Sequence, residues 1–256
     1  MTIIEGAGKA IAGWPAGRWD ISAIPESTPH IRRRVDAELR ELKVMIRSMG
    51  AAAQNMFERS LHGIVDNRPE IFDDVIRSDD EVDAHYMEIE RRILDVLALH
   101  SPVASDLRFL TALLHVSLHL ERVADMSVNV AKLGEAIAHL PRNDTVLTTI
   151  SEMGGIALKM IEASMDAFAN RDLELCMRLP EMDDPVDRLN RGIIQEILPM
   201  CNDMRLLEWG MQIHVVSRQI ERVADHAVDI AEQTAFLITG EFREFTDASH
   251  PGGVDL

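Results

Sequence analysis

The sequence predicts an all-α protein: two tandem, sequence-related three-helix bundles, six helices in total. Three observations carry that expectation. Apolar residues recur at three- and four-residue spacing from His30 to Thr239, clusters of turn formers interrupt the pattern at wide intervals, and two acidic motifs each occur twice in the same order. No strand-like alternation competes with the helical period.

Val35, Leu39, Leu42, Ile46 and Met49 mark a first amphipathic helix from near Ile31 to near Gly63, closed by Asn67-Arg68-Pro69. Ile71, Val75, Val82, Ile89 and Ile93 carry a second from Pro69 to about Leu99, and Ser101-Pro102 ends it. A third continues to about Leu140, before Pro141-Arg142-Asn143-Asp144. The same succession follows over about Thr145–Ala169, Leu173–Met200 and Asn202–Thr239. Pro180 and Pro185 fall inside the fifth, where a kink or break is expected. The expected organisation is a flexible extension over 1–29, rich in Gly and Pro, a first bundle over 30–140, a second over 141–240 and a tail over 241–256.

Charge and composition narrow the function. With 26 Lys+Arg against 43 Asp+Glu the net charge is −17, which disfavours nucleic acid and anionic lipid as partners. Aromatic residues make up only 4%, too few for base-stacking platforms. Cys176 and Cys201 form no metal-binding Cys pair and fit a reducing compartment. Neither a signal peptide nor an apolar run of about 20 residues stands out, so a cytoplasmic protein without direct membrane insertion is expected. Exposed Met and Leu surface makes a homodimer the expected assembly.

The repeat is explicit in the residues. Glu121-Arg122-Val123-Ala124-Asp125 returns 100 positions later as Glu221-Arg222-Val223-Ala224-Asp225, and Asp79-Asp80-Glu81-Val82-Asp83 returns 104 positions later as Asp183-Asp184-Pro185-Val186-Asp187. On a helical wheel with Glu121 at zero, Leu110, Leu113, Leu114, Ala124, Val128 and Ala131 fall between about −80° and +20°, Asp125 near 40° and Asn129 near 80°. In the sixth helix Ile213, Ala224, Val228 and Ala231 flank Glu221, with Asp225 and Asp229 along one edge. These carboxylates border the apolar stripe and therefore call for a counter-charge.

Two sources of that charge remain open. One is a hard metal cation bridged by facing carboxylates: Asp79, Asp83, Glu121 and Asp125 in the first half, and Asp183, Asp187, Glu221, Asp225 and Asp229 in the second. The other is arginine pairing by Arg122, Arg222 or Arg218. His214 shares the face of Glu221 and reads as a satisfied core histidine, with a ligand role as the alternative. His115 and His119 have zinc-like spacing but lie about 120–160° from Glu121 on the wheel, off the acidic row. Glu-x-x-His, His-Glu-x-x-His, phosphate-binding glycine loops and nucleophile elbows are all absent, so no catalytic constellation emerges.

These motifs carry a resemblance. His30-Ile-Arg-Arg-Arg-Val-Asp-Ala-Glu-Leu, Ser101-Pro-Val-Ala-Ser-Asp-Leu-Arg108, Leu120-Glu-Arg-Val-Ala-Asp-Met-Ser-Val-Asn-Val-Ala131 and Ile220-Glu-Arg-Val-Ala-Asp-His-Ala-Val-Asp-Ile-Ala-Glu232 resemble the PhoU family of phosphate-transport regulators over about 30–240. The resemblance implies paired three-helix bundles and acidic motifs that carry multinuclear clusters of divalent or trivalent ions (Fe, Zn, Mn or Mg). It also implies a non-catalytic adapter that contacts the ATPase subunit of a phosphate ABC transporter and a phosphate-responsive membrane sensor histidine kinase. Met126 stands where such sequences commonly carry the histidine kept as His226, which allows the halves to bind metal unequally. The rival expectation is a carboxylate-bridged metallohydrolase acting on phosphate esters.

Overall fold

A computed structural model describes residues 29–102, 105–242 and 244–245. Residues 1–28 of the expected extension and most of the expected tail lie outside the described residues. Six α-helices are present: α1 (Pro29–Val65), α2 (Phe72–His100), α3 (Ser105–Ile137), α4 (Asp144–Asn170), α5 (Leu173–Ile197) and α6 (Met204–Thr239). Short 3-10 turns occupy Pro69–Ile71 and Leu198–Asn202, and no strand occurs among the described residues.

The sequence breaks act as helix signals. Asn143, Asp172 and Asp203 are N-caps whose side chains accept from the backbone amides of Val146, Leu175 and both Arg205 and Leu206. Gly240 closes α6 in the left-handed conformation at φ 79°, which glycine adopts without steric cost. The fifth helix stops at Ile197 rather than Met200, where Pro199 lacks the amide needed to continue the ladder. Of the kink or break expected at Pro180 and Pro185, the break does not occur: α5 is continuous through both. Each proline removes one ladder bond, but Leu179, Val186 and Ile193 remain fully buried along the same helix. The carbonyl freed by Pro185 belongs to the exposed Glu181.

α1, α2 and α3 pack on one another, as do α4, α5 and α6; the bundles meet along α3 against α6 and α1 against α4. α3 and α6 therefore carry two buried faces each. Leu110, Leu113 and Ala124 line one face of α3 while Ala112, Val116, Val123 and Val130 line the opposite one, all fully buried. Arg142, in the connection between bundles, donates to the carbonyls of Ile64 and Val65 and so satisfies orphan groups at the end of α1.

Close approaches use glycine. Phe72 wedges between α1 and α3 at Gly63 and Gly134, where an added Cβ would stand 2.3 Å from the ring in each case. Gly134→Ala meets both Phe72 and Ile64, so overpacking of about 1–3 kcal/mol should outweigh the roughly 1 kcal/mol that alanine gains in a helix. Gly155 and Gly192 face open space, so alanine there should stabilise by up to about 1 kcal/mol. Urea unfolding of these variants reads the opposite signs.

Candidate metal centres

The acidic motifs sit on the outer flanks of the central helices, at the α2–α3 and α5–α6 seams. In the first half, burial raises the carboxyl pKa of Asp79 first, with Asp83, Asp125 and Asp80 adding repulsion and Lys132 opposing it. Glu121 is likewise raised by burial and by Asp125, against the pull of Arg122, with Asp83 and Asp79 adding. Carboxylates of α2 and α3 thus lie close enough to repel one another. Arg122 donates to Asp125 at 2.9 Å and stands 3.4 Å from Glu121, so arginine pairing supplies part of the counter-charge here.

The second half is more acidic and less compensated. Asp183 is only 9% exposed, and its carboxyl is pushed up to about 7 by burial and by Asp225, Asp187, Glu221 and Asp184. Asp225 is raised to about 6 by burial and by Glu221, Asp187 and Asp229. Arg191 donates to Asp187 at 3.0 Å, but neither Arg222 nor Arg218 forms an ion pair among the described residues. The repeat explains part of this imbalance: Lys132 of α3 corresponds to Glu232 of α6, replacing a cation by a half-buried acid.

Two carboxylate oxygens are buried without a hydrogen-bond partner among the described residues, Glu121 Oε2 and Asp183 Oδ1. The Glu121 oxygen has Arg122 Nε at 3.4 Å, whereas Asp183 forms no ion pair among the described residues, so its buried oxygen better fits a cation. The rows face each other but are not closed. Within neither row do three ligand atoms lie within 4.8 Å of one another, as repulsion between uncompensated carboxylates dictates. Asp229, expected in the second row, has its nearest partners elsewhere: its Oδ2 is 3.2 Å from His226 Nδ1 and 3.3 Å from His119 Nδ1.

The histidines depart from expectation. His214 is not a satisfied core residue, since its Nδ1 is buried and unpartnered while the Ser217 hydroxyl takes only its backbone carbonyl. His119, off the acidic row as the wheel requires, meets His226 across the α3–α6 seam with Nδ1 atoms 3.3 Å apart. Burial lowers the His119 imidazole to about 4 against the attraction of Asp229, keeping it neutral at physiological pH. A cavity of about 670 Å³ lies elsewhere, lined by Val65, Arg142, Asp144, Leu147, Thr148, Ser151 and Glu152, and shares no residue with these groups.

The pH dependence of stability follows from Asp183. Its folded carboxyl holds a proton to about pH 7, whereas an unfolded aspartate releases it near 4. Stability is therefore lost as pH rises from about 4 through about 7 and changes little beyond, each pKa unit being worth about 1.4 kcal/mol. In chelator, Asp183→Asn should gain on the parent between about pH 4.5 and 7 and level off above that. A constant difference across that range in urea unfolding would contradict the assignment.

Comparison with known proteins supplies the family. The PhoU domain matches twice, over residues 46–134 and 150–234, one copy in each bundle. The phosphate-specific transport system accessory protein PhoU homolog of Caulobacter vibrioides is 29% identical over 84% of this chain and 94% of its own length. Its Pseudomonas aeruginosa counterpart is 26% identical over 88% and 91%. The crystal structure of PhoU from Pseudomonas aeruginosa superposes with a TM-score of 0.77 at 26% identity, covering 80% of this chain and 99% of that one. The Streptococcus pneumoniae phosphate transport system regulatory protein PhoU shares the fold at a TM-score of 0.74 and 24% identity. With two copies of the domain on two similar bundles, this chain belongs to the PhoU family.

Proposed function

We propose that this protein is a non-catalytic regulator of phosphate uptake, restraining the phosphate-starvation response as an adapter between the transporter ATPase and a sensor histidine kinase. The observation that carries the reading is the breadth of the likeness. Relatives named as phosphate-specific transport accessory proteins match most of this chain and nearly all of their own length, across both bundles. No described helix is long and apolar enough to cross a membrane, so contact with a transporter would be made from outside the bilayer.

Metal ions are the second part of the proposal. Asp79, Asp83, Glu121 and Asp125 would hold them in the first half, and Asp183, Asp187, Glu221 and Asp225 in the second. A bound cation would supply charge neutralisation across each helix seam, with Fe, Zn, Mn and Mg all compatible with oxygen donors. The side chains must turn inward to close the rows. The buried oxygens of Glu121 and Asp183 support this, and the missing arginine pairs favour the second half. Exposed Met87 and Leu94 on α2 support the homodimer as its assembly.

Elemental analysis of protein purified without chelator or affinity metal tests the metal sites. Asp183→Asn with Asp225→Asn should remove more bound metal than Glu121→Gln with Asp125→Asn; equal loss, or none, would count against the ranking. Phosphate-sensitive capture of the transporter ATPase or the kinase tests the adapter role, and failure at every phosphate level would defeat it. Turnover of a model phosphodiester by metal-loaded protein, abolished by Asp125→Ala, would instead establish the metallohydrolase.

A further inference from the structure

We infer that His119, His226 and Asp229 form a separate mononuclear site for a zinc-type divalent ion, placed between the bundles rather than within either one. His119 comes from α3, while His226 and Asp229 come from α6 at i,i+3 spacing, which puts both on one face. Their ligand atoms form a nearly equilateral triangle: 3.3 Å between the two Nδ1 atoms, and 3.3 and 3.2 Å from these to Asp229 Oδ2. A tetrahedral ion with bonds of about 2.0–2.1 Å separates its ligands by roughly 3.3–3.4 Å. The triangle already has the size of one face of that tetrahedron.

Hydrogen bonding alone does not satisfy this arrangement. If both imidazoles carry a proton on Nδ1, both can donate to Asp229, but two N–H groups then confront each other at 3.3 Å. If only one does, the other nitrogen turns a lone pair toward the carboxylate. A cation at the centre accepts all three lone pairs at once. Two imidazoles and a carboxylate select a borderline ion such as Zn²⁺ over the hard ions that suit the all-oxygen rows. The side chains of His119, His226 and Asp229 are 17%, 18% and 40% exposed, so the ion has a way in and a fourth position open to water.

The repeat makes the site single. The counterparts of His119, His226 and Asp229 in the opposite half are Gln219, Met126 and Asn129, which offer amides and a thioether in place of imidazoles and a carboxylate. One ion per chain would tie α3 to α6, stiffening the junction of the bundles.

The test uses full-length protein stripped with chelator, in a background of Asp79→Asn, Asp183→Asn and Asp225→Asn that weakens the acidic rows. Titration with Zn²⁺ should give one ion per chain, and Co²⁺ should give the intense visible absorption of a tetrahedral complex. His119→Gln and His226→Met, the residues the chain itself uses at the equivalent positions, should each lower Zn²⁺ affinity at least tenfold and abolish the Co²⁺ band. Circular dichroism checks that they fold, and His119→Ala with His226→Ala serves as a second pair. Unchanged affinity in folded histidine variants, or an octahedral Co²⁺ spectrum in the parent, overturns the assignment. Because the histidine variants leave the weakened acidic rows unchanged, loss of binding in them reports this site and not the metal sites proposed there.

Discussion

Two helices in this protein are buried on opposite sides at once, and nearly every polar feature traces to that. α3 and α6 pack outward on their own bundles and inward on each other, so a polar side chain on either has only narrow flanks to occupy. Serines and threonines that fall on the buried faces (Ser117, Ser127, Ser217 and Thr234) turn their hydroxyls back to carbonyls three or four residues earlier. Charged and imidazole groups cannot do this. They collect where helices part, either at the outer seam with α2 or α5 or at the central seam between bundles.

Much of this organisation is legible in the sequence because it is periodic or repeated. The 3.6-residue period places Glu121 and Asp125 at the edge of an apolar stripe, and the duplication assigns Glu221 and Asp225 the same place. What pairs with what is less accessible. The wheel sets His119 apart from Glu121 and Asp125 on its own helix, but its partners His226 and Asp229 lie on α6 of the other bundle and are set by how two bundles dock, which no local pattern encodes. The prolines mislead for a related reason. Intrinsic helix propensity argues for a break at Pro180 and Pro185, yet burial of Leu179, Val186 and Ile193 holds α5 together across both.

The sequence allows the halves to differ through Met126 against His226, but the imbalance found in the structure has another, electrostatic origin. Arg122 and Arg222 are repeat equivalents, yet only Arg122 is ion-paired among the described residues, to Asp125. Among the described residues the second row is paired from α5 instead, where Arg191 replaces the exposed Met87 of the first half. Lys132, which pulls Asp79 down, has Glu232 as its counterpart, while burial and then Asp225, Asp187, Glu221 and Asp184 hold the Asp183 proton to about pH 7. Duplication copied the carboxylates; divergence of the cations around them then made the copies unequal in uncompensated charge.

A cation at either kind of seam would act mechanically before it acted chemically. In an outer seam it draws two helices of one bundle together against their own charge repulsion. At the central seam it links α3 to α6, so its effect falls on how the bundles sit relative to each other. Hydrolysis of a phosphate ester would need a substrate cavity beside the ions, whereas the 670 Å³ cavity is lined by α1, α4 and the connection between bundles and touches none of the candidate ligands. On the proposed reading, ions held between helices and away from that cavity would act by setting the shape presented to a partner.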